Sequence, residues 1–197
     1  MEKILNGNDE MRNHIIMVAS KIFAHFGFRK ATMDEIASAT RKGKSSIYYY
    51  FSSKEEIFKA VVEKEALELK NELEREIQKY DNPPDQLKAY ILTRMKKLKK
   101  VTNFYSALKS DYLSHLEFIE RIRKKFDEEE IAFVKTILQG GIDSGRFAIE
   151  NPELSAIAIV TAMKGLEIPL LINNEKGDIT ERLDNLIQFL FYGLIKR

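Results

Sequence analysis

Between Thr32 and Lys54 the chain reads TMDEIASATRKGKSSIYYYFSSK, a stretch in which hydroxyls, cations and phenols crowd together. Tyr48, Tyr49, Tyr50 and Phe51 follow one another without a break. Successive helical residues lie about 100° apart, so four consecutive rings cannot all face one core. Some of them must point outward, beside Arg41, Lys42 and Lys44. Exposed phenols among cations suit a surface that meets a phosphate backbone and base edges. Lys54 adds a further cation at the start of the next helix, where the helix dipole opposes it, which suggests an external anion. Charge is concentrated here: Arg29, Lys30, Arg41, Lys42, Lys44 and Lys54 stand against Asp34 and Glu35, although the whole chain carries only +2.

Two short helices joined by a basic turn would position these groups. Thr32 and Glu35 have the S/T-x-x-E spacing of a capping box, and Ser53 and Glu56 repeat it. Upstream, Met11, Ile15, Val18, Ala19, Ile22, Phe23 and Phe26 mark an apolar helical stripe that Gly27 stops. A long helix from Lys54 to about Tyr80 follows, ended at Asn82-Pro83-Pro84. Further apolar stripes predict helices from Leu87 to Val101, from Asn103 to Ser114 and from Leu116 to Leu138. Asn151-Pro152 is an N-cap with proline at the first helical position. No strand, repeat or low-complexity segment emerges, so the expected fold class is all-α.

The segment resembles the helix-turn-helix of the tetracycline-repressor (TetR) family. That pattern starts with Thr, continues Ile-Ala, and crosses a turn to Thr-Leu-Tyr-x-Tyr-Phe and then Lys. Thr32, Ile36-Ala37, Ser46-Ile47-Tyr48, Tyr50-Phe51 and Lys54 match it without insertion. The turn departs: Thr40-Arg41-Lys42-Gly43-Lys44-Ser45 stands where Ala-Gly-Val-Ser-x-Gly is usual. The resemblance implies an N-terminal three-helix head, residues 1–53, followed by a larger helical ligand-binding and dimerisation domain, residues 54–197. It implies a ligand-responsive repressor that binds a palindromic double-stranded operator as a dimer. Thr32, Arg41, Lys42 and Lys54 would meet the backbone, Tyr48 the backbone or a groove, and Lys44, Ser45, Ser46 and Tyr49 the base edges. Tyr50 and Phe51 would pack inside the head.

The last two helices fit that assembly. Leu154 to Ile172 is apolar or small almost all the way round, as is Ile179 to Lys196, so each can be buried on two sides. One side can pack on its own chain and the other on a second copy; a central core helix in a monomer is the alternative. Pro169, four residues after Gly165, is expected to kink or end its helix within residues 165–169. Candidate pocket residues are Tyr90, Met95, Phe104, Tyr105, Tyr112, His115, Phe118, Met163 and Glu167, which would suit an apolar or aromatic effector with one polar end. The basic run Arg94 to Lys100 and the acidic run Asp127 to Glu130 read as solvated faces.

Other function classes find little in the sequence. His14, His25 and His115 are scattered, and there is no cysteine to join them in a metal site. No phosphate-binding glycine loop or nucleophile elbow occurs, so neither an enzyme nor a cofactor is expected. No apolar run approaches the roughly 18 residues of a membrane span, and the N-terminus lacks a signal-peptide core, so a cytoplasmic location is expected. The competing reading is a helical DNA-binding or interaction protein with no small-molecule effector.

Overall fold

The computed structural model describes residues 2–98, 103, 117–172 and 179–192 of the 197. Among them there are only helices: α1 Glu2–Lys30, α2 Met33–Ala39, α3 Lys44–Tyr50, α4 Lys54–Ile77, α5 Pro83–Leu98, α6 Glu117–Asp143, α7 Pro152–Ile172 and α8 Ile179–Tyr192. The expected helix over 103–114 lies outside the described residues, apart from Asn103.

The chain divides into two compact units. One holds Met1–Glu68 and Val101–Arg123, the other Leu69–Lys100 and Lys124–Arg197. In the first, Ile15, Ala19 and Phe23 of α1, Ile36 of α2, Ile47 of α3 and Ile57, Phe58 and Val61 of α4 make the core. The Phe58 ring meets Phe23 edge-on at 5.1 Å and Phe28 at 4.8 Å. Phe26, placed on the buried stripe by spacing, is instead 49% exposed. Helical geometry breaks at Gly27 (φ 76°, ψ 159°), and the redirected chain brings Phe28 inward. The conformation is one that only glycine adopts readily.

In the second unit the core includes Leu69, Leu73, Tyr90, Ile91, Met95, Val134, Leu138, Ala156, Val160 and Met163. Asn151 caps its helix as expected, accepting from the Leu154 amide at 3.0 Å, and Asn82, read only as the end of the helix before it, caps the next by accepting from the Asp85 amide at 3.0 Å. α7 runs on through Pro169 to Ile172. It does not end within 165–169: the proline removes a single bond, and at the crowded turn Gly165 has no side chain in the way.

The two charge runs are not wholly solvated. Arg94 and Glu130 are 2% and 6% exposed and bind each other. Arg94 Nη2 donates to Glu130 Oε2 at 3.1 Å and Nε donates to Oε1, while the Tyr90 hydroxyl donates to Oε1 at 2.8 Å. Arg94 falls one helical turn after Tyr90 and shares its inward face, as Glu130 shares that of Val134. Burial works against the charge of the Arg94 guanidinium, but Glu130, Tyr90 and Asp127 together outweigh it and raise the pKa. Burial, then the charge on Glu130, push the Tyr90 phenol well above its ordinary range, so it remains a donor.

Candidate nucleic-acid interface

The head builds its exposed face from caps and one turn. At the start of α2, Thr32 Oγ1 accepts from the Glu35 amide at 3.2 Å, and Glu35 Oε2 accepts from the Thr32 amide at 2.8 Å, a complete capping box. The second box is modified. Ser53 Oγ accepts from the Glu56 amide at 3.2 Å, but Glu56 Oε2 accepts from Ser52, through its amide at 2.6 Å and its hydroxyl at 2.7 Å. Those two bonds hold the Glu56 carboxyl below its ordinary pKa.

α2 ends in a Schellman turn. The Lys42 amide donates to the Ala37 carbonyl and the Arg41 amide to the Ser38 carbonyl, both at 3.0 Å. The motif requires positive φ at the first residue past the cap, and that residue is Arg41 at 55°. Glycine usually fills this place because a β-carbon there costs about 1–2 kcal/mol. Here a cation occupies it. Arg41 and Lys42 are both exposed at the tip of the turn.

α3 buries one side chain fully, Ile47, and turns its neighbours outward. Tyr48 is 46% and Tyr49 75% exposed. Lys44 and Ser45 are exposed and Ser46 half-buried. Tyr49 rests edge-on against Tyr50 at 5.0 Å, which leaves its hydroxyl end in solvent. Phe51 is buried, with the Arg12 guanidinium 4.9 Å from its ring centre. Lys44 pairs with Asp34 of α2 at 2.9 Å, a contact that spacing did not disclose, and the hydrogen bond to Asp34 raises its pKa.

Lys54 has an internal role that the dipole argument missed. Its ammonium donates to the carbonyls of Phe28 and Ala31, each at 2.9 Å, and lies over the Phe28 ring at 4.5 Å. Those carbonyls belong to the end of α1 and the turn after it, where a cation is favoured. The adverse position at the head of α4 is therefore explained inside the protein.

The family described as "Bacterial regulatory proteins, tetR family" matches residues 15–61, the stretch that contains this whole face. A solved transcriptional regulator from Cytophaga hutchinsonii ATCC 33406 is 31% identical, covers 89% of this chain and 92% of its own, and superposes with a TM-score of 0.74. The chain belongs to the TetR family. It is thus a DNA-binding transcriptional regulator, in a family of regulators rather than enzymes. The uncharacterized HTH-type transcriptional regulator YhgD of Bacillus subtilis (strain 168) is 26% identical over 82% of this chain and 83% of its own length. AibR, solved in complex with isovaleryl coenzyme A and operator DNA, shares the fold at 16% identity, with a TM-score of 0.67 over 91% of this chain and 97% of its own. TetR regulators bind operator DNA as dimers and respond to small-molecule effectors.

Four of the expected effector residues are described with their side chains. Tyr90, Met95 and Met163 are buried in the second unit, whereas Phe118 is half-buried in the first. Phe104, Tyr105, Tyr112, His115 and the side chain of Glu167 lie outside the described residues. A cavity of about 30 Å³ lies between α4 and α6, lined by Leu73, Phe126, Phe133 and Glu130, with Lys70, Glu74 and Glu129 at its rim. It meets the expected set through Tyr90, which donates to Glu130 and whose ring lies 6.4 Å from that of Phe133. Among the described residues, no cluster of His, Asp and Glu could hold a metal, and no helix is long and apolar enough to cross a membrane.

Proposed function

We propose that this regulator is a ligand-responsive repressor that reads a palindromic operator as a homodimer, with residues 1–53 as its reading head. The observation that carries the reading is α3, which buries Ile47 and exposes Tyr48 and Tyr49 beside a cationic turn. Thr32, Arg41, Lys42 and Tyr48 meet phosphates and set the register. Lys44, Ser45, Ser46 and Tyr49 face base edges, Tyr49 chiefly through apolar contact with thymine methyls. Lys54 shares its ammonium between the α1 carbonyls and a phosphate at the edge of this surface. A mobility shift with the DNA upstream of the chain's own gene tests the reading; no shift at low salt would refute it.

Residues 54–197 carry dimerisation and effector binding. α7 exposes Leu154 (62%) and Ile157 (39%), and α8 exposes Phe189 (47%) and Tyr192 (74%), while Ala156, Val160, Leu183 and Ile187 of the same helices are buried. Helices apolar on both faces support pairing of two copies through the last two helices. Two heads related by a two-fold axis can then enter successive major grooves about 34 Å apart. Phe189→Arg should give monomers in sedimentation and cost operator affinity.

The effector is apolar or aromatic with one polar end. The isovaleryl coenzyme A bound by AibR makes acyl thioesters the first class to screen, by release of operator DNA. A regulator without a small-molecule effector is the second reading; operator binding that no acyl thioester releases would favour it. Discrimination rests on differential affinity, since a ligand that binds both states equally changes nothing.

A further inference from the structure

Within the unit that contains the head, a polar cluster joins three stretches of chain far apart in sequence. Ser20, on α1, donates from its hydroxyl to Glu65 Oε1 of α4 at 3.0 Å. Asn103 donates its backbone N–H to Glu65 Oε2 at 2.9 Å and its side-chain amide to Glu65 Oε1 at 2.7 Å. The same amide donates to the Ser20 carbonyl at 3.0 Å and reaches the Ser20 hydroxyl at 3.2 Å. Glu65 is 8% exposed and Asn103 2%. Neither the DNA-facing surface nor the cavity uses any of the three.

Burying a carboxylate and an amide is costly unless both are matched, so the cluster holds its members in one arrangement. Apolar side chains on α1 and α4 could slide past one another at small cost. These hydrogen bonds cannot, because each demands its own distance and direction. They therefore fix where α1, the first helix of the head, stands on α4, the helix that leads out of the head.

We propose that Ser20, Glu65 and Asn103 form a positioning joint that sets the head on α4 and so fixes how two heads match a palindrome. The inference rests on the dimeric-operator reading given above. Asn103 is followed directly by Phe104 and Tyr105, two of the residues expected to meet an effector.

The test titrates the full-length parent, Asn103→Asp, Ser20→Ala and the double variant Asn103→Asp/Glu65→Gln onto two duplexes at one salt concentration. One is the palindrome that the parent selects from a random pool, and the other is its single half-site. Asn103→Asp sets two carboxylates against each other where a 2.7 Å hydrogen bond stood. Palindrome affinity should fall by about tenfold or more, with half-site affinity held within about twofold, as expected when a buried charged hydrogen-bond set is mismatched away from the reading surface. Ser20→Ala, which keeps the fold with less risk, should give the same pattern at about threefold. Adding Glu65→Gln should recover much of the loss, because the new amide donates to the new carboxylate. Equal losses on both duplexes would show damage to the head itself and overturn the joint, as would unchanged palindrome affinity. A parent that binds both duplexes alike removes the dimeric reading and the joint with it, and the parent alone reveals that case.

Discussion

Between α1 and α2 the chain turns at Gly27–Ala31, and between α2 and α3 it turns at Thr40–Gly43. Each turn needs a residue with positive φ, and they fill that need with opposite kinds of side chain. The first uses glycine (φ 76°) and takes its cation from elsewhere, through Lys54 and the carbonyls of Phe28 and Ala31. The second places Arg41 in the strained position (φ 55°), with Lys42 beside it and both exposed. The first turn is optimised for the head's own stability. The second gives up stability for two cations on the surface assigned to DNA, as strained positions at functional sites do.

That contrast breaks most sharply at the glycine. Gly27→Val has open space around the new side chain but a backbone region closed to it. Chemical denaturation should show a loss of about 3 kcal/mol, the upper end for such positions. Lys54→Met removes a charged donor from two carbonyls and should cost about 2 kcal/mol in the same measurement. Its operator affinity should also fall, with the slope of log K against log salt reduced by roughly one. An unchanged slope would confine Lys54 to its role between α1 and α4.

Arg41→Gly should move stability and function in opposite directions. Relief of the left-handed strain should raise stability by about 1 kcal/mol. Loss of the cation should weaken operator binding and lower the salt slope by about one. A variant that is more stable and binds equally well would show that the second turn is no functional device. The smallest effect is expected at Asp34→Asn, which frees Lys44 from a pair 52% and 71% exposed. Stability should scarcely change, because water screens so exposed a pair. Operator affinity should rise, because a carboxylate leaves the face that meets phosphate; a fall would show that Asp34 positions Lys44 for its base.

Local patterns of the head were legible in the sequence where the chemistry is short-range. The Thr32–Glu35 box and the cap at Asn151 depend on spacings of a few residues, and the spacing sufficed. The inward Ile47 amid outward tyrosines follows from helical period alone. What went unseen depends on partners distant in the chain. Lys54 read as a cation awaiting an anion because its carbonyl partners lie 23 and 26 positions away. Arg94 and Glu130 read as parts of solvated runs because a run of like charge hides the one member that faces inward. A signal was present, in the four-residue spacing of Tyr90 and Arg94. The left-handed Arg41 left no trace in composition, although a glycine two places late pointed to the turn.

The buried Arg94–Glu130–Tyr90 group has a consequence for how the second unit opens. Separating Arg94 from Glu130 by a local fluctuation would leave a guanidinium and a carboxylate stranded in an apolar interior, at a cost of about 3–5 kcal/mol. Fraying of α5 or of α6 alone is thereby suppressed around the pair. Amide protons near residues 90–95 and 130–134 should therefore exchange with solvent only in a shared opening, with one protection factor and one denaturant dependence. The ion pair adds little to the depth of the native well, but it makes these two helices a single cooperative element.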